Sequence, residues 1–215
     1  MSRTHDLLVI SDLHLGDDLG PKSEPTLRLE RELQTFLDHH RDNGHRWQLV
    51  INGDMIDLVG LTLMPAEVGL IAGLHPDDHL YGLGAQSHTA ALKLQRVLIH
   101  HDGVFRALGR FLASGHSVAI VIGNHDVEVH WPEVQALLID ALLGFAVEAG
   151  GDRDTITAAI SFHDWFFLEE GLAWIEHGHQ YDPYCSFEEI LAPATDTEEI
   201  DPNLGGLLPR YIGPQ

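Results

Sequence analysis

Val118-Ala119-Ile120-Val121-Ile122-Gly123-Asn124-His125-Asp126 passes from an apolar, β-branched run straight into residues that carry chemistry. The apolar run, entered from Ser117 and closed by Gly123, reads as a short strand buried on both faces, as in parallel sheets. Gly123 removes the side chain where the backbone must turn at the strand tip. Asn124 then offers a neutral amide oxygen, His125 an imidazole and Asp126 a carboxylate. The same grammar occurs twice earlier: Leu7-Leu8-Val9-Ile10 precedes Asp12-Leu13-His14, and Leu49-Val50-Ile51 precedes Gly53-Asp54-Met55-Ile56-Asp57. Buried strands that each end in metal-ligand residue types predict an α/β fold whose strand tips converge on a metal site.

Between these motifs the chain alternates in the β-helix-β manner that favours parallel pairing with a right-handed crossover. A helix is expected from Thr26 to Asp42, with Leu29, Leu33, Phe36 and Leu37 on one face and Asn43-Gly44 as a left-handed cap. Strand two starts at Trp47. Residues 58–86 read as an insertion capping the strand tips. Its Leu58, Leu61, Leu63, Met64, Leu70 and Ile71 either line a groove for an acyl chain or, the commoner outcome, pack against the insertion itself. Residues 87–113 are expected to be helical with a break at Asp102-Gly103, and Trp131-Pro132 to start a helix ending near Gly144. Ile156–Leu168 and Leu172–Glu176 read as a hairpin turning at Glu169-Glu170-Gly171 and feeding His177-Gly178-His179. The stretch 193–215 reads as loop or as the start of a missing C-terminal part.

With 215 residues the chain suits one domain, 1–215, with an ordinary core and the 58–86 insertion. Lys and Arg number 12 against 33 Asp and Glu, a net charge of -21, which disfavours binding of nucleic acid or acidic membrane through a basic patch. A small phosphate ester drawn to a cationic metal centre remains compatible. The lone Cys185 excludes an intramolecular disulfide and a cysteine zinc site, and fits a reducing, cytoplasmic setting. No apolar run approaches the roughly 18 residues of a spanning helix, and no signal-peptide core follows Met1.

Residues two apart in a strand share a face, so Asp12 and His14 are expected to reach one ion. Asp54 has two oxygens and can bridge two ions, Asn124 serves the second, and His177 and His179 add imidazoles. This donor mixture suits manganese, iron or zinc better than calcium. Two such ions, about 3.5–4 Å apart, clamp a phosphate and acidify a bridging water that attacks phosphorus. His125 is expected to protonate the leaving oxygen or stabilise the charged transition state, with Asp126 fixing its tautomer and keeping it cationic, and Asp57 orienting from behind. The other histidines, including His39-His40, His100-His101 and His116, read as surface residues, and His75 and His79 as candidates to approach the site from the insertion. Each motif alone has a bland reading as a polar loop or turn; their occurrence together in this order is what makes the chemical reading.

The ordered set Asp-x-His, Gly-Asp-x-x-Asp, Gly-Asn-His-Asp and His-Gly-His resembles the calcineurin-like metallophosphoesterase superfamily over about residues 5–185. The resemblance implies an αββα sandwich, with Asp12, His14 and Asp54 on one metal and Asp54, Asn124 and His177 on the other. It makes His125 the catalytic histidine with Asp126 in support. His177-Gly178-His179-Gln180-Tyr181-Asp182-Pro183 is nearest to bacterial members around UDP-2,3-diacylglucosamine hydrolase, which cleave a pyrophosphate. The family's closing Gly-His-x-His does not follow His179, so the fold is expected to be incomplete at the C-terminus, from truncation or degeneration. The expected activity is hydrolysis of a phosphomonoester, phosphodiester or pyrophosphate. The alternative is a non-catalytic binding scaffold.

Overall fold

The computed structural model describes residues 5–16, 19–70, 72–194, 200 and 203–212. Strands β1 (Asp6–Ile10), β2 (Trp47–Asn52), β3 (Ser117–Val121) and β4 (Ile160–His163) form one parallel sheet in the order β1-β2-β3-β4. The helices between them are α1 (Glu24–Arg41), α2 (Asp78–Tyr81), α3 (Ser87–His100), α4 (Asp102–Ala113), α5 (Pro132–Glu148) and α6 (Arg153–Thr157). Crossovers of one hand that step the same way along a sheet leave their helices on one face. Accordingly Leu49, Ile51, Val118 and Ile120 pack with Leu33 and Leu37 of α1, Leu94 and Val97 of α3, Phe105 and Phe111 of α4 and Leu138 and Leu142 of α5. The alternate residues Leu7, Val50, Ala119 and Val121 meet Phe167 and Ile175 of an antiparallel hairpin, β5 (Phe166–Glu169) and β6 (Ala173–Glu176). The described residues thus form a mixed α/β arrangement of helices, parallel sheet and hairpin.

Local chemistry sets the element ends. Ser23 accepts the Thr26 N–H and Pro25 stands in the first turn of α1, which starts two residues earlier than the apolar spacing suggests. Gly44 takes φ 82 beyond its last turn, as expected. Leu29 is 39% exposed, and Glu30 holds the buried place on that face. The break between α3 and α4 falls at His101. Helix α5 runs through Gly144 to Glu148, because Leu142, Leu143 and Ala146 carry its buried stripe past the glycine. Ile156–Leu168 is not one hairpin arm: Ile156 belongs to α6, Ile160–His163 joins the parallel sheet beside β3, and only Phe166 onward pairs with β6. Within 193–215, Leu204–Ile212 forms α7, capped by the Asn203 Oδ1, which accepts the Gly206 N–H at 2.7 Å; the rest of that stretch, 194 and 200 aside, lies largely outside the described residues.

In the insertion Leu58, Leu61 and Leu63 are buried and Met64 and Leu70 half-buried, so these side chains turn inward and leave the acyl-groove reading without support. Ile71 lies outside the described residues. No helix among the described residues is long and apolar enough to cross a membrane.

Candidate metal centre

The tips of β1 and β2 remain hydrogen-bonded after the strands end. Asp12 N–H donates to the Gly53 carbonyl at 3.2 Å, His14 N–H to Asp54 at 3.0 Å and Leu15 N–H to Met55 at 3.1 Å. The β2 tip is in turn tied to β3 by Gly53 N–H on the Val121 carbonyl at 2.9 Å. Among the described residues the non-glycine residues with positive φ are Asp12 (55), His14 (45) and Asp54 (51). Left-handed backbone at such side chains costs free energy, and it persists where the surroundings impose it for function. All three are candidate ligands.

That backbone also changes how donors are shared. Asp12 and His14 do not sit in a strand, and they face different neighbours. Ligand atoms of Asp12, Asp54 and His177 lie within 4.8 Å of one another, and so do those of His14, Asp54 and His125. Asp54, 3% exposed, belongs to both groups. Its Oδ2 lies 3.2 Å from His177 Nε2 and 3.7 Å from His14 Nε2, while its Oδ1 accepts the His125 backbone N–H at 2.9 Å. Asn124 Oδ1 is 3.2 Å from His177 Nε2, which places it with the first group. His177 Nδ1–H donates to the Asn52 carbonyl at 3.0 Å, so Nε2 is the atom left to ligate.

Two glycines make this approach possible. A Cβ on Gly53 would stand 2.3 Å from the His177 ring, and one on Gly123 2.2 Å from Asp54 Oδ1. A donor set of carboxylates, imidazoles and one amide, packed this closely around a shared buried carboxylate, could hold a metal ion.

The charges are mutually tuned. Burial pushes Asp54 upward, but the contacts from His177 and the His125 N–H outweigh it and hold the carboxyl below its ordinary range. For His177 burial acts downward, and Asp54 reverses it, raising the imidazole to about 9 in the metal-free protein. His125 is raised first by Asp57, whose Oδ1 lies 3.1 Å from Nδ1, although the contact is bent away from hydrogen-bond alignment. Asp57 also reaches His14, Oδ2 to Nδ1 at 3.6 Å, and the two rings meet edge to face at 4.8 Å.

Two of the residues expected in the site make contacts other than those expected. Among the described residues Asp126 makes no hydrogen bond to the His125 ring, which Asp57 reaches, although the Asp126 charge also acts to raise it. Asp126 is buried and accepts backbone N–H groups from Gly123 at 2.7 Å, Met55 at 2.8 Å and Ile56 at 3.4 Å, stitching the β2 and β3 tips together. Burial and the Asp54 charge push it up to about 7 against those donors. His179 stays outside both donor groups: its ring is buried against Phe187, 5.9 Å between centroids, and burial drives it down to about 4. Among the described residues its Nδ1 has no hydrogen-bond partner.

His101 and His116 are not surface residues. His101 accepts the Gly16 N–H and donates to Glu30, and His116 accepts the Trp47 N–H and donates to the Arg41 carbonyl. His75 and His79 take no part in either donor group, and Cys185 is half-buried. The sequence reading passed over Lys93 and Glu128, both buried beside the site. Lys93 had a visible signal, since Ala90, Leu94 and Val97 define a buried stripe in which it falls. No family model, curated protein or solved structure matched the chain.

Proposed function

We propose that the chain is a divalent-metal-dependent phosphoesterase acting on a phosphomonoester, phosphodiester or pyrophosphate. The observation that carries this is the position of Asp54, one buried carboxylate common to two groups of ligand atoms. Asp12, Asn124 and His177 would hold one ion with Asp54, and His14 would hold the other with it. When bound, a pair of such ions supplies Lewis-acid charge and a water acidic enough to be the nucleophile.

This chain's own residues do the rest. Asp57 raises the proton affinity of His125, which suits a proton donor to the departing oxygen better than a metal ligand. Asp126 fixes the two strand tips that present Asp54 and Asn124. Left-handed backbone at Asp12, His14 and Asp54 holds the donors in place before substrate arrives.

The test is release of phosphate or phenol from aryl phosphate mono- and diesters and from pyrophosphate, with manganese added. Turnover lost in Asn124→Ala and His125→Ala supports the reading. A folded wild type inert toward all three substrate types with metal present overturns it. One observation favours a second reading, a metal-binding scaffold without turnover: His179, expected as a ligand, lies outside the donor groups. Stoichiometric metal without hydrolysis would be its signature.

A further inference from the structure

A cavity of about 50 Å3 opens behind Asn124, walled by Val59, Val127, Phe187 and Ile200, with Lys93 and Glu128 facing it. At roughly 10–15 Å3 per water it has room for about four heavy atoms. Its apolar walls suit carbon, and its polar groups are unevenly satisfied. Arg210 at the rim is committed, donating to Asp78 at 3.3 Å and to the Leu83 carbonyl at 3.1 Å. Asn203 is committed as well, to the Cys185 carbonyl and the Gly206 N–H.

Glu128 is different. It is 1% exposed, and among the described residues its Oε2 has no hydrogen-bond partner. Lys93, 3% exposed, makes a bond to the Leu58 carbonyl at 2.9 Å, which uses one of its three donors. The cavity therefore presents an unused buried acceptor and unused buried donors, a combination that is costly to leave unpaired. Burial pushes Glu128 up and Lys93 down to about 8, and the charge of each opposes that effect on the other. An anion would meet the Glu128 carboxylate and a cation the Lys93 ammonium. A hydroxyl donates to one and accepts from the other.

Asn124 borders both this cavity and the donor group of Asp54 and His177. We propose that the cavity is the subsite for the alcohol portion of the phosphate ester, and that it selects a hydroxylated carbon chain, a polyol or sugar, through Lys93 and Glu128. The proposal rests on the phosphoesterase reading for the seat of the phosphate. A CHOH–CH2OH fragment, four heavy atoms, matches the space.

The probes are 3,4-dihydroxybutylphosphonate and butylphosphonate, which carry an uncleavable C–P bond and differ only in the diol. Their binding to metal-loaded protein is measured by calorimetry, beside phosphate release from an aryl phosphate. The wild type is expected to bind the diol about ten-fold or more tightly than the deoxy compound, and Glu128→Gln to bring the two within about three-fold. Lys93→Met provides a second variant, and melting curves report whether each folds. Diol preference without phosphate release would keep this subsite and remove the phosphoesterase reading. Release without diol preference, or no binding of either phosphonate, would overturn the subsite, its polar pair then holding water only.

Discussion

Replacing Gly53 by alanine probes the packing that places His177. Gly53 has φ 80, and an added Cβ would lie 2.3 Å from both Cγ and Nδ1 of the His177 ring. The left-handed backbone costs an L-residue about 1–2 kcal/mol. Forcing a methyl into a filled site adds about 1–3 kcal/mol, giving roughly 2–5 kcal/mol in all. Gly44 supplies the control, with φ 82 and no atom within 4 Å of its added Cβ. Gly44→Ala should therefore cost only the backbone part, about 1–2 kcal/mol. Urea unfolding of both variants with a chelator present isolates the steric part from any effect of metal. Gly53→Ala should also weaken metal binding, since the displaced ring loses its bond to the Asn52 carbonyl, whereas Gly44→Ala should not. Equal losses in the two variants, with metal affinity unchanged, would refute the placement of His177 against Gly53.

Asp126→Asn leaves one of the N–H groups of Gly123 or Met55 facing an amide NH2, and should cost about 1–3 kcal/mol in urea unfolding; a neutral result would remove its role as the stitch between strand tips. His177 in the metal-free protein should titrate near 9 by NMR rather than near its ordinary 6.5, and near the ordinary value once Asp54→Asn removes the partner. Because the folded value is raised, its contribution to stability is full below 6.5 and is lost as pH rises through 9, so a stability contribution that grew over that interval would contradict the ion pair. Asp57→Asn should lower the His125 titration, Asp57 being its foremost support; an unmoved His125 would return that role to Asp126.

The parts of the fold governed by local sequence could be read in advance. Apolar runs before Asp12, Gly53 and Gly123 are strands β1, β2 and β3, and Asn43-Gly44 closes α1. What stayed hidden depended on contacts distant in sequence. Phe162-His163-Asp164-Trp165-Phe166 is apolar enough to read as one strand, yet the pairing of His163 with Val121 and of Phe166 with Glu176 sends its ends to different sheets. His101 and His116 are buried because partners far along the chain satisfy both ring nitrogens, which no local pattern announces. The donor residues were legible as a set, but their partition was not. Strand alternation pairs Asp12 with His14, whereas both take left-handed backbone and their ligand atoms fall in different donor groups. Asp57 rather than Asp126 reaches His125 for a similar reason: Asp126 is drawn into backbone N–H groups that become available only when the β2 and β3 tips meet.

The most direct trial of the shared-carboxylate arrangement is metal stoichiometry by elemental analysis after reconstitution with manganese or zinc, wild type beside Asp54→Asn. The wild type should retain about two ions per chain, and the variant should lose both affinities together, because Asp54 serves both donor groups. A folded Asp54→Asn protein holding as much metal as the wild type, equally tightly, would contradict it.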